Sequence, residues 1–417
     1  MNQRFDIAVV GAGMAGRLMA LALDHAGFSV VQIDRAAAAT LPDDGRTTAI
    51  AYAGIRFFKR LGLWEELGPK AEFITDILVS NGQPDGRFRR GGLTGGQLHF
   101  PATLLGTNND ASEVPALGAI IENKDLFSAF INRAERTSIS QAFGAAVSTL
   151  EPGTGATRLT LANGETIEAS LVVACDGKGS PLRSLMNLQV IRWSYRQKAI
   201  IFNIAHQKPH GGVAHEIFYP EGPFAILPMR NNHASIVWTE RLAAADSYLG
   251  LPDEEFLAAA MDRIGDHLGA VEIVNKRQSY PLSLLYAPKL TADRFVLAGD
   301  AAHGIHPIAG QGFNLGIKDI AALVDVLTEA RQAGLDIGHG TVLADYDRWR
   351  RFDGLALSIG TDALNRLFSN NWGPLKHARG LGLGAIQRID PLRRFFMKVS
   401  GSDLGQLPSL MQPLSNV

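Results

Sequence analysis

Residues 5–34 read FDIAVVGAGMAGRLMALALDHAGFSVVQID, and this stretch decides the fold. The apolar, β-branched run Phe5 to Val10 ends at Gly11. A helical pattern extends from Met14 to Ala26, Gly27 stops it, and Ser29 to Ile33 makes a second strand. Gly11, Gly13 and Gly16 stand in the order G-x-G-x-x-G after a strand and at the opening of a helix, the context that a dinucleotide fingerprint requires. Such a helix start offers unpaired N–H groups and the positive end of its dipole to phosphates. Asp34 follows the second strand, where a carboxylate binds ribose hydroxyls and repels a 2′-phosphate. The plainer alternative is a glycine turn in an ordinary βαβ unit, and it leaves the acid at that position without a purpose.

Two further apolar runs end the same way. Ser170 to Ala174 leads into Cys175-Asp176-Gly177, and Arg294 to Ala298 leads into Gly299-Asp300, so three distant segments are expected to share one parallel sheet. Ser180 is a good N-cap and Pro181 suits the first helical position, which puts Arg183 in a first turn beside the Asp176-Gly177 loop; a capped helix with a surface Arg is the equal alternative. Asp300 leaves a strand end, where parallel sheets place ligands, and can accept from a sugar or ribityl chain. Ile317, Ile320, Ala321 and Val324 keep helical spacing, so a helix is expected to begin close to Asn314. The Gly310-Gln311-Gly312 turn before it lets backbone N–H groups approach a flat ring. Alternating segments in Phe73 to Phe100 and Ala199 to Glu240 predict an antiparallel sheet in a second domain inserted twice into the first. From Thr341 the pattern turns helical and basic.

Composition excludes several classes. In 417 residues, 40 Lys and Arg face 41 Asp and Glu, so no overall charge draws the chain to nucleic acid. The single Cys175 makes no internal disulfide and points to a reducing, cytoplasmic setting; on its strand it reads as a packed thiol. No signal peptide or membrane span is expected, which leaves peripheral contact with a membrane. His303 and His306 lack a third ligand at zinc spacing, so no metal is expected. Gly380 to Gly384 follows no strand and is read as helix packing or membrane contact. Between Trp372 and Val399, Lys376, Arg379, Arg388, Arg393, Arg394 and Lys398 are offset only by Asp390 and interleaved with Leu381, Leu383, Ile386, Ile389, Leu392, Phe395, Phe396 and Met397. A basic amphipathic segment of that kind suits an anionic membrane surface, and packing on the first domain is the even alternative.

The order G-x-G-x-x-G, D-G-x-G-S-x-x-R, G-D-A-A-H and P-x-x-G-Q-G-x-N resembles the FAD-dependent aromatic hydroxylases of the p-hydroxybenzoate hydroxylase fold, over nearly the whole chain. Arg46 to Ala51 with Leu61-Gly62-Leu63-Trp64, Ile121-Glu122-Asn123, His306 to Gly316, and Thr361-Asp362 with Leu367-Phe368-Ser369 are similar to the ubiquinone-biosynthesis hydroxylases. The resemblance implies an α/β fold: a Rossmann-like FAD-binding domain (1–72, 101–185, 281–340), an inserted antiparallel-sheet substrate domain (73–100, 186–280), and a C-terminal helical segment (341–417). It gives Gly11, Gly13, Gly16 and Asp34 to the ADP half of FAD, Asp34 standing where many relatives have Glu. Arg46 goes to the pyrophosphate or flavin side. Asp176 and Arg183 go to FAD or a nicotinamide cofactor, Gly299 and Asp300 to the ribityl or pyrophosphate region, and Pro307, Gly310, Gln311, Gly312, Phe313 and Asn314 to the flavin ring.

The chemistry implied is reduction of FAD by NAD(P)H or another donor, formation of a flavin C4a-hydroperoxide with dioxygen, and transfer of oxygen to a polyprenyl phenol. Phe218, Tyr219, Phe224, Ile226 and Leu227 supply the expected walls of the ring pocket. For the base that ionises the phenol, a backbone carbonyl, Tyr219 and a water chain stay open. A non-oxygenating FAD reductase or dehydrogenase, a hydroxylase of another aromatic, and a flavin-binding subunit of a biosynthetic complex are the rival readings. Partners implied are the membrane surface, on its inner face, and other enzymes of the pathway.

Overall fold

The computed structural model describes residues 4–37, 45–82, 97–105, 116–305, 310–368, 386–401, 403 and 405–413. Pro307, His306, Lys376, Arg379 and the Gly380 to Gly384 cluster lie outside them. Among the described residues the strands form three sheets.

The first is built on parallel strands in the order Phe295–Leu297, Thr166–Ala174, Arg4–Val10, Val30–Asp34 and Ser140–Phe143. Register puts Val10, Ala174 and Leu297 side by side, so the three Gly/Asp loops leave from one edge. Ile7, Ala8, Val9, Leu171, Val172 and Val173 are all buried completely. Their unbroken apolar run is what a sheet covered on both faces demands. Leu18 of the helix Met14–His25 and Ile320, Leu323 and Leu327 of the helix Gln311–Gln332 belong to the same core. That second helix begins three residues before the expected position, because Gly310 takes a left-handed φ of 62° as its cap and turns the chain at once.

The second sheet has nine strands and is mainly antiparallel. Asp76–Asn81 and Gln97–Pro101 join it to strands between Ile191 and Tyr286; Asp76–Asn81 runs parallel to Val213–Tyr219. One face carries Phe202, Phe224 and Trp238, covered by the helices Leu242–Leu249 and Asp253–Ile264. The other face lines a cavity. A third sheet, Thr47–Ala51, Gly118–Glu122 and Glu72–Ile74, has no counterpart in the sequence reading. The helix Gly340–Phe368 follows the basic, helical stretch anticipated from Thr341.

A buried charge pair locks the helices to the strand ends. Asp319 and Arg350 are both inaccessible to solvent; Arg350 Nε donates to Asp319 Oδ1 at 2.8 Å, and Gly299 N donates to Asp319 Oδ2 at 3.0 Å. Arg350 also reaches Asp353, which pairs with Lys318. Burial pushes the Asp319 carboxyl up, but the facing charges of His303 and Arg350 outweigh it and hold the group below the usual carboxylate range. Removing one member leaves the other charged and dry. Asp319→Ala is therefore expected to lower stability by about 3–5 kcal/mol in urea unfolding at neutral pH. Because the folded pKa is depressed, that difference is present above an unfolded pKa of about 4 and shrinks as pH falls through the folded value; a difference that stays constant into acid contradicts the assignment.

Candidate active site

Three fingerprint glycines have three separate reasons. Gly11 has φ +112°, and a Cβ there lies 2.4 Å from the carbonyl oxygen of Cys175. A Cβ on Gly16 lies 2.0 Å from the carbonyl oxygen of Gly11. Both positions are glycine because the protein's own backbone fills the space. Gly13 differs: its φ of −70° suits any residue, and an added Cβ meets nothing within 4 Å. Gly312 is likewise open, and both glycines line the cavity. The protein therefore leaves space at the first turns of two helices for something that is not protein, which is the fit that a dinucleotide carrying a flat ring requires.

The remaining predicted residues divide into those that line this space and those that shape it. Gly299, Asp300, Gly310, Gln311, Gly312, Phe313 and Asn314 line it. Asn314 also fixes the turn, since its Oδ1 accepts from Ala51 N at 2.8 Å and its Nδ2 donates to Ala49 O at 2.8 Å and Gly310 O at 3.1 Å. Asp300 opens onto the cavity. Burial raises its carboxyl, and Lys178 and His303 oppose the rise. Asp34, at its strand end, accepts from Ala12 N and Ala36 N, so its carboxylate steadies the glycine loop. The Arg46 guanidinium stands 5.9 Å from the ring centroid of Tyr280, a residue of the cavity wall.

Asp176 and Arg183, expected at a cofactor, are built into the loop instead. Ser180 caps the helix Pro181–Leu185 as its sequence dictates, and Asp176 accepts from Leu182 N at 3.2 Å. Arg183 is 3% exposed and donates to the carbonyl oxygens of Ala301 at 2.7 Å and Lys178 at 2.9 Å. Neither residue lines the cavity. Arg183 clasps the second strand-end loop to the third, and the side chain of that loop that lines the cavity is Lys178. Cys175 is buried, and burial raises its thiol, as a packed side chain requires.

The cavity has a volume of ≈ 940 Å³ and runs from the glycine loops to the second sheet. Phe218 and Leu227 line it as expected, together with Leu98, Phe100, Pro223 and Ala225. Tyr219, Phe224 and Ile226 do not. Successive side chains of a strand alternate between faces, and these three point into the core beneath the helices, where Phe224 packs 5.9 Å from Trp238 and Tyr219 donates to Arg263 O at 3.3 Å. Tyr219 thus leaves the set of candidate bases. Two contributors escaped the sequence reading. Ile386, Phe396 and Met397 of the C-terminal segment close part of the cavity, and Glu216 places a carboxyl in its wall. Strand parity with Ala214 and Phe218 carries the signal for Glu216.

Comparison with known proteins extends this picture. The FAD binding domain family model matches residues 4–350. The chain is 40% identical to the ubiquinone hydroxylase UbiL of Rhodospirillum rubrum, over 94% of this chain and 88% of that one. It is 31% identical to the 3-demethoxyubiquinol 3-hydroxylase of Escherichia coli, over 95% and 98%. In fold it is similar to p-nitrophenol 4-monooxygenase PnpA from Pseudomonas putida, with a TM-score of 0.78 at 17% identity, covering 98% of this chain and 100% of that one.

The glycine geometry separates two classes of variant. Gly16→Val is expected to prevent folding, whereas Gly13→Val folds with a wild-type circular dichroism spectrum and purifies without FAD absorbance. Full flavin content in Gly13→Val contradicts the cradle.

Proposed function

We propose, from the premise that the chain belongs to the FAD binding domain family, that it is an FAD-dependent monooxygenase hydroxylating the ring of a polyprenylated phenol in ubiquinone biosynthesis. The observation that carries this reading is the continuity of one cavity. At one end are two helix starts, Gly13 to Ala15 and Gly310 to Asn314, with Asp300; at the other is an apolar sheet face. A flavin and a greasy aromatic ring need such ends in contact.

FAD, when bound, supplies two-electron chemistry and the activation of dioxygen, with electrons from NAD(P)H or another donor. The chain's own work is positional. Backbone N–H groups at the helix starts and the Asp300 carboxylate hold the cofactor, with Gly13 and Gly312 giving it room. Leu98, Phe100, Phe218 and Leu227 orient the ring and exclude water, which protects a reactive oxygen species from loss as peroxide. Incubation of the reduced holoenzyme with a short-tailed polyprenyl phenol and ¹⁸O₂ is expected to put one labelled atom on the ring; product without label indicates a reductase or dehydrogenase instead.

The substrate's tail dissolves in lipid, and the C-terminal helix supports a membrane-facing role. Asp390–Ser400 seats Met397 in the cavity wall and anchors Arg393 to Asp390 and to His99 O, while Arg394, Phe395 at 48% exposure and Lys398 face outward. Packing takes one face of this helix, and the proposal gives the other, exposed face to the membrane surface. No helix among the described residues is long and apolar enough to cross a membrane. Salt-sensitive binding to anionic liposomes on the inner-leaflet pattern is expected, and Arg394→Gln with Lys398→Gln weakens it. Equal sedimentation with neutral liposomes counts against this surface.

A further inference from the structure

Register across the second sheet sets Leu98, Val79, Glu216, Ala225, Val237 and Ile201 in a single row, and every one of them lines the cavity. Five are apolar and one is a carboxylic acid. Flanking rows add Ala214 and Leu227 on one side and Phe218, Pro223 and Thr239 on the other. The Glu216 carboxyl has neither a hydrogen bond nor an ion pair among the described residues. The side chain is half-buried and opens onto the cavity, and no neighbouring charge or donor offsets its partial desolvation, a cost to the fold that Leu or Gln at this position avoids or reduces.

Other titratable groups are placed for other work. His215, next in the strand, packs at a tilt with its ring centroid 4.8 Å from that of His267. On the neighbouring strand, Asp76 pairs at 2.6 Å with His99 of the strand beyond it. Arg393 of the C-terminal helix is held by Asp390 and His99 O. Lys178 acts on Asp300 at the glycine-loop end, and Tyr280, on the strand Gln278–Tyr286 of the same sheet, lies beside Arg46.

We propose that Glu216 is the catalytic base that takes the ring-hydroxyl proton of the phenol, an inference that rests on the monooxygenase reading above. The phenol O–H bond breaks, its electron pair stays on the ring oxygen, and an O–H bond forms on the Glu216 carboxylate. The pair delocalises into the ring and makes the carbon that receives oxygen more nucleophilic. When the ring regains aromaticity the C–H proton leaves to water and the Glu216 proton returns to the ring oxygen, so the residue ends the cycle ionised as it began. Proton affinity favours the assignment. A phenol titrates at about 10 and an ordinary Glu at about 4.3, a poor match. Burial alone pushes Glu216 up to about 8, which brings donor and acceptor close. The base works only when ionised, so turnover rises as pH climbs through that value.

The test uses FAD-loaded wild type, Glu216→Gln, Glu216→Asp and Glu216→Leu, with 2-geranylphenol and its O-methyl ether as probes. Glu216→Gln is expected to lower kcat by about 100-fold or more and to abolish the rise near pH 8, with flavin content unchanged; Glu216→Asp recovers part of both. Binding supplies a readout apart from turnover. Wild type and Glu216→Gln, whose side-chain carbonyl still accepts, hold the phenol more tightly than the ether, and Glu216→Leu loses that preference. Melting temperatures of the Gln and Leu variants match or exceed wild type. Wild-type kcat and pH profile in Glu216→Gln, or melting temperatures lowered in both Gln and Leu variants, overturn the inference. A wild type that places no labelled oxygen on the probe overturns the monooxygenase reading itself, and the two failures are therefore distinct.

Discussion

The contact between the Gly16 backbone and the carbonyl oxygen of Gly11 is the constraint on which the site depends. With no Cβ between them, the first helix sits directly on the strand that precedes it, and its N-terminus opens at the strand end. Gly11 in turn presses on the Cys175 carbonyl of the neighbouring strand, so the second loop is placed by the first. Arg183 ties that second loop to Ala301 in the third, and Asp319 grips Gly299 from the helix behind it. The cofactor end of the cavity is thus a platform of interlocked backbone, assembled from segments nearly three hundred residues apart in sequence. Pre-organisation of this kind lets a ligand bind without ordering the loops first.

Much of this platform was legible in the sequence because each part is local. A strand ending in glycine and followed by helical spacing needs no knowledge of the rest of the chain, and Ser180-Pro181 announces its own helix. The α/β class and the mainly antiparallel second sheet follow from such runs. What was not legible depends on pairing. Phe218 and Phe224 look alike in sequence, but a turn at 220–221 separates their strands and resets which face each residue takes. The sheet of Thr47–Ala51, Glu72–Ile74 and Gly118–Glu122 is equally a matter of distant partners. Arg183 was read as a surface or ligand-binding cation because nothing in its own helix reveals the two carbonyls that surround it.

Glu216 shows why polarity alone misleads in such a sheet. In a strand with one wet face, alternation would assign Glu216 to water and Ile217 to the core. Here helices cover one face, and the other lines a cavity rather than bulk solvent. Polar residues on the second face are then exposed to whatever fills that cavity. The pattern is the same as for an outward-facing strand, and only the third dimension distinguishes them.

Two carboxyls that line one cavity consequently differ in their neighbours. Burial raises the Asp300 carboxyl, and the charges of Lys178 and His303 beside it oppose the rise without cancelling it. Glu216 faces alkyl groups, and nothing opposes it. A group that gains and loses a proton near neutrality suits the end where a hydroxyl must be ionised and restored in each cycle. The separation follows from neighbours rather than from residue type. It also explains why water must be kept out of the sheet end, because solvent admitted there would return Glu216 to an ordinary acid and remove its match to a phenol.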